Sequence, residues 1–123
     1  MPEIADASTG GPTWGAGKNV AASDGEVYVV YPVHDRYACE SGCDVQIWLA
    51  YSLDGGLTFE RNVLVARSPG FNSDGAQLAI GPDPANPGGR RLHVVWGDEA
   101  ASAILYAYAP LDPALGAFTA PAV

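Results

Sequence analysis

Two stretches of this chain carry the same series of apolar runs in the same order, and no other feature constrains the fold as strongly. NVAASDGEVYVVYPVHD (19–35) is matched by QLAIGPDPANPGGRRLHVVWGDE (77–99), QIWLAYS (46–52) by AILYAYA (103–109), and FERNVLV (59–65) by FTAPAV (118–123). The matches start 58, 57 and 59 residues apart, and the drift falls in the turns. One such match would be chance, but three in order mark a repeated unit. Each unit holds four strand candidates, near 19–22, 26–32, 45–52 and 59–66 in the first and near 77–81, 91–97, 103–109 and 117–122 in the second. No run of ten residues shows a helical period with caps, so the chain reads as all-β.

The runs VYVVY, IWLAY, HVVW and ILYAY are apolar at successive positions rather than alternate ones. Strands of that kind need cover on both faces. A two-sheet sandwich predicts cleaner alternation on its outer faces. Four-stranded antiparallel sheets stacked around an axis, the blades of a β-propeller, cover both faces of each sheet. The 15 Gly and 10 Pro lie mainly between the runs, where strand-and-turn architecture places them. The expected layout is an arm over 1–16, one blade over 17–67 and a second over 68–123.

Between the third and fourth strands of the first unit lies Ser52-Leu53-Asp54-Gly55-Gly56-Leu57-Thr58-Phe59. A plain hairpin turn needs only Asp-Gly or Asn-Gly. Here Ser52 and Asp54 have the chemistry to hold free turn N–H groups. Gly55 and Gly56 tolerate positive φ. Thr58 is placed to close the turn, and Phe59 to plug it from below. The stretch fits Ser-x-Asp-x-Gly-x-Thr-Phe at every fixed position and resembles the Asp-box, or bacterial neuraminidase repeat, of sialidase-like β-propellers. A worn copy, Ala109-Pro110-Leu111-Asp112 with Gly116 and Phe118, stands at the matching place in the second unit. The resemblance spans roughly residues 17 to 123 and implies propeller blades.

Charge narrows the partners. Fourteen acidic against six basic residues leave a net charge of −8, which disfavours nucleic acid and anionic membrane surfaces. MPEIADASTGGPTWGAG lacks a basic region followed by an apolar core and does not read as a signal peptide. Cys39 and Cys43 are too widely spaced for a Cys-x-x-Cys redox pair. A loop-stapling disulfide leads here, ahead of two free thiols. A metal site with His34, Asp35 and Asp44 comes last for want of ligands. The disulfide would mean an extracellular or periplasmic setting. No cofactor is implied.

Antiparallel blades put successive turns on alternate rims. The 52–59 turn takes one rim, while the loops at 32–44, 67–75 and 97–102 take the other. Those loops hold the candidate ligand residues His34, Asp35, Arg36, Tyr37, Phe71, Asn72, Asp74, Asp98 and Glu99, aromatics to stack on a sugar and carboxylates to accept its hydroxyls. Taken singly, each is more simply a loop-solvating turn residue. Trp48 and Trp96 fall inside strands and are expected in the core, and Trp14 is placed to plug the arm.

Sialidase chemistry, as the resemblance implies it, needs an arginine cluster, a tyrosine nucleophile with a glutamate, and an acid/base aspartate. The family's Arg-Ile-Pro element is absent, and Arg36, Arg61, Arg67, Arg90 and Arg91 do not obviously converge. The leading expectation is therefore a non-catalytic carbohydrate-binding or scaffold module. The alternatives are a glycoside hydrolase pairing Asp35 with Asp98 or Glu99, or a piece of a larger propeller enzyme. Two blades fall short of the roughly 4–8 of a closed propeller. That shortfall points to a cyclic homo-oligomer, with a trimer favoured, and to glycan as the other partner.

Overall fold

The structure, a computed structural model, describes residues 19–34, 45–67, 76–98 and 102–123. These residues form seven strands in two antiparallel sheets, with no helix among them. Sheet 1 has the order β1 (Val20–Ser23), β2 (Glu26–His34), β3 (Val45–Ser52), β4 (Arg61–Arg67). Sheet 2 has the order β5 (Gln77–Pro82), β6 (Arg90–Asp98), β7 (Ala103–Pro110). Within each sheet every strand pairs with its chain neighbour. The first strands of the two sheets, β1 and β5, lie side by side.

Turn chemistry sets the registers. Asp24 and Gly25, with φ of 51° and 82°, make the two-residue turn that pairs Ser23 with Glu26. Both central residues at positive φ match the twist of the strands they join. In β4 a bulge opposite Ile47 and Trp48 leaves Val65 as the extra residue, and both Val65 and Ala66 reach the core.

The main core lies between the sheets. Sheet 1 contributes Tyr28, Val30, Ile47 and Leu49, and sheet 2 contributes Leu78, Leu92, Val94, Trp96 and Ala107. Fully burying an aliphatic side chain of this size stabilises by about 1.5–3 kcal/mol. A smaller cluster of Tyr31, Val33 and Ala50, with Trp48 and Phe59 against it, occupies the other face of sheet 1. Trp96 is core, while Trp48 is only half-buried and gives its ring N–H to Gln46 at 3.0 Å. Trp14 lies outside the described residues.

Sheet 2 has three strands rather than the four expected. Residues 117–122 run beside β7 without forming a ladder. Thr119 N–H reaches Tyr108 O at 2.9 Å, and Tyr106 exchanges both hydrogen bonds with Ala122 at 2.8 and 3.0 Å. In place of a backbone acceptor, Thr119 Oγ1 takes the Tyr108 N–H at 3.1 Å. Pro121, which has no N–H to offer, sits within this segment.

Candidate functional site

The 52–59 turn is held by its own side chains. Ser52 is fully buried; its Oγ accepts the N–H groups of Gly56 at 2.9 Å and Asp54 at 3.3 Å and donates to Asp54 Oδ1 at 2.7 Å. Asp54 accepts the backbone N–H of Thr58 at 2.9 Å and also its hydroxyl. These bonds, that of the Thr58 hydroxyl foremost, bring the Asp54 carboxyl down to about 2. Gly55 and Gly56 have φ of 76° and 94°, a region closed to most side chains. Gly55 N–H reaches Gly25 O at 2.7 Å and ties this turn to the β1–β2 turn. Phe59 lies against the Tyr31–Val33–Ala50 cluster. The Ser52, Asp54 and Thr58 side chains all bond within the turn itself.

The 109–118 segment is built differently. Asp112 turns away from its own turn and takes Arg90: backbone N–H at 2.7 Å, Nε at 3.0 Å and Nη2 at 2.8 Å. Arg90 also donates to both oxygens of Glu26, at 2.8 and 3.3 Å. The guanidinium thus bridges the start of β2 in one sheet and the end of β7 in the other. Tyr28 donates its hydroxyl to Glu26, and burial followed by that bond pushes its pKa up. Glu26, Tyr28 and Arg90, with Tyr51, Leu53 and Leu111, line a cleft of about 410 Å³ between the sheets.

Sheet 2 carries a second set of polar and aromatic groups on the face turned away from sheet 1. Arg91 pairs with Asp83 at 2.8 Å, and its guanidinium carbon lies 3.7 Å from the centroid of the Tyr108 ring. His93 Nδ1 and Tyr106 Oη are 2.6 Å apart, with the rings stacked at 5.8 Å. Burial first, then the Arg91 charge, lowers the His93 pKa. Neutral His93 therefore contributes stability that is complete above about pH 6.5 and fades as pH falls toward the lowered folded value. An NMR titration of the His93 ring should show a midpoint below that of a free histidine. A midpoint at or above it would contradict this packing.

Arg90 and Arg91, adjacent in β6, emerge on opposite faces of the sheet, and each is held by carboxylates. They do not converge on one anion. Of the sequence candidates, His34 ends β2 and Asp98 ends β6, the last residue of the second strand in each sheet. Asp98 is buried. Asp35, Arg36, Tyr37, Phe71, Asn72, Asp74 and Glu99 lie outside the described residues, as do Cys39 and Cys43. Sequence reasoning missed the Glu26–Arg90–Asp112 bridge and the Arg91–His93–Tyr106–Tyr108 face. The second was within reach, because residues two apart on a strand share a face. Comparison with family models, curated proteins and solved structures returns no match to this chain.

Proposed function

We propose that the chain is a non-catalytic carbohydrate-binding or scaffold module made of two sialidase-like propeller blades, with the 52–59 turn as an Asp-box. The observation that carries this reading is the closed hydrogen bonding of that turn. Ser52, Asp54 and Thr58 bond one another and turn N–H groups, which gives the motif an architectural role. The neutralised Arg90 and Arg91 leave no described arginine pair to grip a sugar carboxylate. Glycan contact is assigned to the rim where β2 and β6 end.

A glycan array run beside a panel of fluorogenic glycosides tests the proposal. Glycan retention without turnover is the expected result, with retention weakened at least several-fold in Asp98→Asn. Hydrolysis that disappears in Asp98→Asn would replace it with the glycosidase reading. Silence in both assays would leave the scaffold role alone.

A further inference from the structure

The cleft of about 410 Å³ between the sheets opens where β2 and β6 begin and β3 and β7 finish. Strand β2 has nine residues and is about 30 Å long, so this end is a separate place from the rim where β2 and β6 end. The volume falls within the roughly 300–1,000 Å³ of small-molecule sites. Both sides of the cleft belong to the described sheets. Asp24, Glu26, Tyr51 and Leu53 stand on one side, with Arg90 and Leu115 on the other.

The walls are held in place without a ligand. Tyr51 directly precedes the 52–59 turn, and its carbonyl accepts the Glu60 N–H at 2.8 Å. The Gly55 N–H to Gly25 O bond at 2.7 Å ties that turn to the one carrying Asp24. On the other side, the Leu111 N–H reaches Arg90 O at 2.9 Å, and the Glu26–Arg90–Asp112 bridge sets the gap between the sheets. A preformed site of this kind gives up less freedom when it binds.

The lining selects among ligands by charge. Glu26 and Arg90 pair at 2.8 Å, and their side chains are 19% and 27% exposed, so their outer edges meet water. An anion drawn to Arg90 meets Glu26 and Asp24 in a chain of net charge −8, and a cation drawn to Glu26 meets Arg90. A hydroxyl both donates and accepts, so neighbouring hydroxyls on one ring suit the carboxylate and the guanidinium together. Opposite them is an aromatic wall. The Tyr28 and Tyr51 rings lie 6.2 Å apart with planes 23° from parallel, and Tyr28 is 1% exposed, so the half-buried Tyr51 is the ring within reach. Its electron-rich face suits the C–H groups on the flat of a sugar. Leu53, 56% exposed, and Leu115 add an apolar lip.

Resting on the carbohydrate-binding reading above, we propose that this cleft is a second glycan site, which takes an uncharged sugar ring between Tyr51 and the Glu26–Arg90 pair. The 52–59 turn then has a part in recognition without touching the ligand, because it fixes Tyr51 at the mouth.

NMR of the labelled chain with a panel of sugars tests the site. The panel holds the methyl glycosides of glucose, galactose, mannose and N-acetylglucosamine, with glucuronate and glucosamine as charged counterparts. A neutral glycoside should shift the Tyr51, Leu53 and Leu115 resonances saturably, and both charged sugars should bind several-fold more weakly. Tyr51→Leu should weaken binding about tenfold, the loss expected for an aromatic anchor. Ala114→Trp, at an exposed position in the cleft lining, fills the mouth without disturbing the core and should abolish the shifts. Asp98→Asn, at the far rim, should leave them unchanged. Equal binding of charged and neutral sugars, or binding that survives both cleft variants, would overturn the proposal. So would a panel that leaves the cleft resonances unmoved. A glycan array on the unaltered chain separates the two failures: retention there with a silent cleft sinks this site alone, and silence in both sinks the carbohydrate reading with it.

Discussion

Leu92→Ala lowers the stability of the chain by about 2–5 kcal/mol, and Leu49→Ala by a similar amount. Both side chains are 0% exposed and belong to the core shared by the two sheets. Leu92 is flanked in register by Ile80 on β5 and Ala109 on β7, and Leu49 by Val30 and Val63. Small neighbours such as Ala109 cannot swell into the space left by a lost isobutyl group. A cavity term therefore adds to the lost transfer free energy. Domains of this kind are stable by only about 5–15 kcal/mol, so either change removes a large share of the total. Leu57→Ala is the control: Leu57 is 78% exposed in the turn, and its loss should shift stability by no more than about 0.5 kcal/mol. Urea unfolding with an unchanged slope decides it. If Leu92→Ala fell within the Leu57 range, the two sheets would not share a core.

The strands were legible because two independent signals agreed on them. Continuous apolar runs marked the buried segments, and Gly, Pro and Asp clusters marked their ends, as at Asp24-Gly25 and the long turn before Arg90. The repeat then let each run vouch for its partner. FTAPAV shows where such reasoning stops. It has the Phe and the position of a fourth strand, but its Pro121 cannot donate to a ladder, and a side-chain bond from Thr119 stands in for part of one. Position in a repeat told where the segment runs, beside β7, and composition decided that it does not become a strand.

The candidate site was less legible. The 52–59 turn is a contiguous motif, so its internal hydrogen bonds are implicit in the order of its residues. The Glu26–Arg90–Asp112 bridge joins residues 64 and 22 positions apart and depends on how two sheets stack. No spacing rule reaches that far. The worn second motif misleads in the same way, because Asp112 keeps the acidic residue but serves the neighbouring strand instead of its own turn. The face holding Arg91, His93, Tyr106 and Tyr108 falls between these cases. Its members alternate along β6 and β7, yet which face turns away from sheet 1 follows only from how the two sheets pack.

Ser52→Ala should destabilise the chain by about 1–3 kcal/mol, a large effect for the loss of one oxygen atom. Ser52 is fully buried, and its hydroxyl accepts the Gly56 and Asp54 N–H groups while donating to the Asp54 carboxylate. Alanine leaves the Gly56 N–H without its acceptor at a fully buried side chain, and an unmade buried hydrogen bond costs about that much. The contribution of Asp54 to the turn should also fade with acid in a defined window. The folded-state pKa of Asp54, about 2, lies below the ordinary carboxylate value of about 3.9. The unfolded chain therefore binds the proton first as pH falls. The contribution of Asp54 is complete above about pH 4 and disappears as pH drops toward 2. Removing Ser52 takes away one of the bonds that hold the pKa down, so the variant's window moves up toward the ordinary value. Unfolding followed by tyrosine and tryptophan fluorescence between pH 2 and 6, for the unaltered chain and Ser52→Ala, measures both effects. Equal stability at neutral pH, or identical acid profiles, would mean that the Ser52 hydroxyl does not hold the turn together.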